Sequence, residues 1–118
     1  MLIIRKEQKE VLAKAARNSF EERMLVHVNK FFPKHYEALG ESNCRELVNH
    51  GIKKAATYDI VSERDVCKYI DLMIGFGLEF DKDDNLPWAV KIFNDTSWKD
   101  ASAKTNALFK AGIRHLQD

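Results

Sequence analysis

Proline and glycine are scarce in this 118-residue chain, which has two of the first and five of the second. Both lie at apparent joints, and such economy argues against many short strands linked by tight turns. No stretch alternates at period two for long enough to suggest a sheet. Cysteine is also rare. Cys44 and Cys67 stand in no CxxC spacing, which fits a reducing cytoplasm better than a disulfide scaffold. No window approaches the roughly 18 apolar residues of a membrane span, and "MLIIRKEQ" is too short an apolar run for a signal peptide. A surplus of either charge is missing too. The net charge is +1, which argues against general affinity for nucleic acid or anionic membrane.

Catalytic and metal-binding signatures are equally thin. His27, His35, His50 and His115 offer no HExxH pair, and no Glu-x-x-His occurs, so neither zinc nor di-iron chemistry is indicated. GxSxG, P-loop and GxGxxG patterns are absent, and no nucleophile has an identifiable base. Cys44 falls on an apolar stripe and reads as a buried, inert thiol. Cys67 is expected in the first turn of a helix, where the dipole would lower its pKa. These absences lead us to expect no cofactor, no metal and no enzymatic activity.

What the chain does contain is helix. Apolar residues Leu12, Ala16, Phe20, Met24, Val28 and Phe31 recur at spacings of three and four, predicting a long first helix over 7–32 that Pro33 stops. "PKHYEALGE" reads as the first connection. A second helix over 42–58 has Cys44, Leu47, Val48, Gly51, Ile52 and Ala55 on its apolar stripe. Gly51 there costs about 1 kcal/mol, which close approach of another helix would offset. Ser62, with Asp65 three residues on, resembles a capping box and opens a third helix over 63–76. On it Val66, Tyr69, Ile70, Met73 and Ile74 face inward, and Gly75 and Gly77 end it. Pro87 suits the first turn of a short helix over 87–94. Ser97 is a candidate cap for a last helix to 116, with contacts at Ala101, Leu108, Ile113 and Leu116. "MLIIR" has the look of an extended arm. The expected fold is all-α, one domain over 1–118, a bundle of about five helices around the long N-terminal helix, with Phe20, Leu47, Ile52, Ile70 and Met73 nearly fully buried. The pair of helices joined at "YDIVSERD" has the outline of a helix-turn-helix, but "ERDVCKYIDLM" is too acidic to read phosphate.

The acidic stretch "EFDKDDNLPWA" puts Asp81, Asp83 and Asn85 at alternate positions, as a calcium loop does. Leu86 stands where the loop needs glycine and Ile92 where it needs a bidentate Glu, so this reading fails. Charge is nevertheless uneven. Residues 1–34 carry eight basic groups against four acidic, and residues 63–86 carry three against seven. Solvated faces account for such a split; a docking face would use it. Phe76, Phe80, Trp88, Phe93 and Trp98 gather around the acidic loop. Core packing is their default role, but aromatic centres with polar rims also mark protein interfaces. On that basis Phe80, Asp81, Asp83, Asp84, Leu86 and Trp88 are the candidate partner-binding residues.

"MLIIRKEQ", "FEERMLVHVNKFFP", "GIKKAATYDIVSERDVCKYIDLMIGFGLEFD" and "LPWA" together resemble a family of small all-helical proteobacterial proteins encoded beside type VI secretion spike, PAAR and effector genes. The similarity covers about residues 1–93. The family often has glycine at the position of Asp59, so this chain departs there; Asp tolerates a left-handed turn adequately, and the joint is expected to survive. The resemblance implies a genomic setting rather than a mechanism. It suits a cytoplasmic, chaperone-like adaptor of a secreted effector, toxin or spike component, or alternatively an immunity protein that inhibits a cognate toxin.

Overall fold

The computed structural model describes residues 6–117, with side chains described from 18 to 115; the "MLIIR" arm and the Leu12, Ala16 and Leu116 contacts lie outside these bounds. The chain is all-α. The described residues form five helices, α1 (Lys6–Phe31), α2 (Pro33–Ala56), α3 (Glu63–Phe76), α4 (Pro87–Asn94) and α5 (Ala101–Gln117), with one 3-10 turn, Phe80–Lys82, between α3 and α4 and no strand. None of these helices is long and apolar enough to cross a membrane. The contacts divide the chain into two compact units, 1–48 and 49–118, with the division inside α2.

In the first unit Phe20, Met24 and Val28 are buried as the stripe predicts, joined by Leu25. Phe31 departs from it and is 60% exposed, because it is the last residue of its helix; its ring lies 4.8 Å from that of His27. Pro33 does end α1, but it also starts α2. The missing N–H that closes one helix is harmless in the first turn of the next. The expected connection over 33–41 is therefore helical, and the break falls at Gly40, whose φ of 81° and ψ of 163° leave the helical region. Arg45 ties α2 to α1. Its guanidinium meets Glu21 and Glu22 at 2.7 Å each and Glu41 at 3.2 Å, and Glu21 is itself buried.

The second unit is organised by close helix approach. A Cβ added at Gly51 would lie 2.6 Å from Ile70 Cγ1 and 3.2 Å from Met73 Sδ, so the costly glycine of α2 is where α3 presses in. Val66, Tyr69, Ile70 and Met73 are buried, with Ile74 partly exposed. Leu47, in the first unit, and Ile52 are half-buried rather than enclosed: they flank the deepest line of α2, which is Cys44, Val48, Gly51 and Ala55. Asp59 takes the left-handed conformation, with φ 61°, and the joint before α3 survives the departure from glycine. Ser62 Oγ accepts the N–H of Asp65 at 3.2 Å, but the Asp65 carboxylate accepts from Ser102 of α5 instead of completing the capping box. Gly77, at φ 114°, closes α3 through its N–H to the Met73 carbonyl, whereas Gly75 stays within the helix. Helix α5 packs on α3 and α4. It begins at Ala101, capped by Asp100, whose Oδ1 accepts the Ala103 N–H at 2.8 Å. Ser97 is not that cap, because its N–H and hydroxyl are both donated to Asp95. Leu108 is fully buried on α5, while Ile113 is 42% exposed.

Candidate functional site

The acidic loop joins α3 to α4 within the second unit, and its residues divide sharply between inside and outside. Phe80 is fully buried, with its ring 5.1 Å from Tyr69 and 5.7 Å from Phe93. Tyr58 completes this aromatic core, 4.4 Å from Phe93. The 3-10 turn fixes the arrangement, with the Phe80 N–H reaching the Gly77 carbonyl and the Lys82 N–H reaching that of Glu79. It turns Asp81 inward as well. The Asp81 side chain is fully buried; its Oδ2 accepts from the Tyr58 hydroxyl and lies 3.3 Å from Lys54 Nζ. Burial works against the Lys54 ammonium, but Asp81 and Glu79 outweigh it and raise its pKa. Burial and the same carboxylate push the Tyr58 phenol well above its usual range. Phe80 and Asp81 are thus structural residues of this unit, not surface residues as the sequence suggested.

Asp83, Asp84, Leu86 and Trp88 remain toward the outside. Asp83 Oδ1 accepts the Asn85 N–H at 2.9 Å, a local Asx turn that sets up Pro87 as the first residue of α4. Asp84 is exposed, while Leu86 and Trp88 are half-buried. Trp88 sits with its ring edge-on to Phe76 at 5.1 Å and stacks on His115 at 5.1 Å with 14° between the planes. A Cβ added at Gly112 would meet Leu72 Cδ2 at 2.6 Å, Phe76 Cε2 at 3.2 Å and Trp88 Cη2 at 3.6 Å. The bare backbone at Gly112 is what lets α5 come close enough to carry His115 to the indole. Gly112 and His115 belong to this face and were missed by sequence reasoning, whereas Phe76 was named among the aromatics around the loop without being counted as a contact. The signal for Gly112 was present: a glycine inside a helix, the same sign that Gly51 gives. Nothing local marks His115, which reaches Trp88 only through tertiary packing.

A cleft of about 210 Å³ in the second unit is lined by Tyr58, Asp59, Asp95, Thr96, Trp98 and Lys104, among others. Ser97 bonds hold the Asp95 carboxyl below its ordinary pKa, and Trp98 Nε1 donates to the Ile92 carbonyl at 3.0 Å. Both thiols read as poor nucleophiles. Burial raises the pKa of Cys44, and burial followed by the charge of Asp71 pushes Cys67 up to about 11. The helix dipole expected to lower Cys67 is outweighed by desolvation, which penalises the thiolate. Comparison with protein-family models, with curated proteins and with solved structures gives no match for this chain.

Proposed function

We propose that this chain is a non-catalytic protein-binding protein, an accessory or chaperone-like adaptor for an effector of a type VI secretion system, acting in the cytoplasm. The observation that carries the binding role is the face around Trp88. A half-buried indole is backed by Phe76 and stacked on an exposed His115, with Asp83 and Asp84 a few residues away. An aromatic centre beside a charged rim is the usual composition of a protein interface. Trp88 is also already held in place, so little side-chain freedom is lost on binding. The contact set is Asp83, Asp84, Leu86 and Trp88, extended by Phe76 and His115. The raised pKa of Cys67 supports a role without a cysteine nucleophile. The secretion setting rests on the resemblance carried by residues 1–93.

The acids favour a second reading, an immunity protein whose Asp83 and Asp84 approach a basic site on a toxin. Co-expression with the neighbouring gene products, followed by affinity capture and a toxin-rescue assay, tests both. Capture of an effector without rescue fits the adaptor, and rescue from toxicity fits the immunity protein. A neighbour that is captured equally well by the folded His115→Ala and Trp88→Ala variants would remove the proposed face.

A further inference from the structure

The aromatic core of the second unit encloses two polar atoms that no protein group satisfies. Among the described residues, Tyr69 Oη and Asp81 Oδ1 are the buried side-chain nitrogen or oxygen atoms without a hydrogen-bond partner. Tyr69 is fully buried and Asp81 is 4% exposed. A buried hydroxyl or carboxylate oxygen left unpaired is strongly unfavourable, and such atoms are almost always paired. Both belong to one neighbourhood. The Tyr69 ring is 5.1 Å from that of Phe80, the residue beside Asp81. It is also 6.4 Å from the ring of Tyr58, whose hydroxyl donates to the other oxygen of Asp81. The charge of Asp81 also contributes, after burial, to raising the Tyr69 pKa.

We infer that Tyr69 Oη and Asp81 Oδ1 share one internal water molecule, accepting the phenolic proton of Tyr69 and donating to Asp81. The chemistry selects a neutral ligand with both a donor and an acceptor. Tyr69 supplies a hydroxyl that can donate, and Asp81 Oδ1 can only accept while ionised. A cation is not required there, because Lys54 Nζ at 3.3 Å already compensates the carboxylate. Two polar partners are the minimum number that a buried water needs. This inference is independent of what the Trp88 face binds.

A crystal structure of the full chain, at a resolution that shows ordered solvent, tests it directly. The expected result is one water within about 3.2 Å of both atoms. A direct Tyr69–Asp81 hydrogen bond, a dry contact or two separate waters would overturn it. Urea unfolding of Tyr69→Phe gives the second reading. If the water is there, removing the hydroxyl strands its partner and lowers the midpoint. A midpoint that rises shows that the hydroxyl was unpaired in the folded protein, which also overturns the proposal.

Discussion

Gly51 and Gly112 look alike in sequence, and both are buried within helices, yet their surroundings differ. At Gly51 an added methyl meets Ile70 Cγ1 at 2.6 Å, a carbon close to the backbone of α3 that cannot swing away. At Gly112 the nearest atom is a terminal methyl of Leu72, also at 2.6 Å, which a rotamer change can move. Alanine improves helix propensity by about 1 kcal/mol at either site, while overpacking costs about 1–3 kcal/mol. The unyielding contact at Gly51 belongs to the upper part of that cost, so Gly51→Ala is expected to lower stability by about 1–2 kcal/mol, and Gly112→Ala, with its movable contact, to stay within about 1 kcal/mol of neutral. Urea midpoints compared side by side decide the order, and a more damaging Gly112→Ala would contradict it. Cys67 gives a pH prediction at the same scale. Its thiol is raised from 9.0 to about 11, so the folded state holds the proton more tightly than the unfolded chain. The associated stability is full below pH 9, falls as pH rises, and is lost through about 11. The slope approaches about 1.4 kcal/mol per pH unit for this one group. Cys67→Ala should flatten the fall in urea midpoint between pH 9 and 11; an unchanged profile would mean that Cys67 does not titrate differently on folding.

At the level of elements, ends are decided by single polar atoms. Helix α5 takes its cap from Asp100 and not from Ser97. Asp100→Ala should cost about 1 kcal/mol, whereas Ser97→Ala should change stability by less than about 0.5 kcal/mol. Thermal melts of the two variants test this, and equal losses would reassign the cap. The same reasoning explains which elements were legible in sequence. Helices α3 and α4 were, because Ser62, Gly77 and Pro87 act on their own neighbours through backbone geometry. The segment 33–41 was not, because Pro33 fits a stop and a start equally well, and one glycine at φ 81° can interrupt a helix without ending it. In the loop after α3, Trp88 was legible as a partly exposed aromatic at a helix start. Asp81 was not, since its partners Lys54 and Tyr58 come from the preceding α2 end and joint. Local acidity says nothing about a carboxylate whose cation is supplied by tertiary packing.

For the molecule as a whole, the net charge of +1 leaves little long-range field, so electrostatic steering of a partner has to come from local asymmetry. The acidic segment 63–86 supplies less of it than its composition suggests. Asp65 and Asp81 are buried and committed to Ser102, Tyr58 and Lys54, and Glu79 lies 3.4 Å from Lys54. Asp83 and Asp84 are adjacent, and Asp84 is fully on the outside. Replacing both with Asn removes two charges next to the Trp88 face without touching the core. If this face meets a basic partner, the double variant should associate about three- to tenfold more slowly at low salt, dissociate at nearly the parent rate, and lose most of its salt dependence, because rim charges act mainly on encounter. Trp88→Ala should act the other way, raising the dissociation rate by about tenfold or more, as truncating an interface anchor does. The indole also packs on Phe76 and His115, so circular dichroism melts must accompany the binding kinetics. His115→Ala, at an exposed position, provides the variant that perturbs the face with least effect on folding. Stopped-flow association at several ionic strengths separates the outcomes. Salt-independent association in the parent, together with unchanged rates in the double variant, would mean that these acids are only solvated.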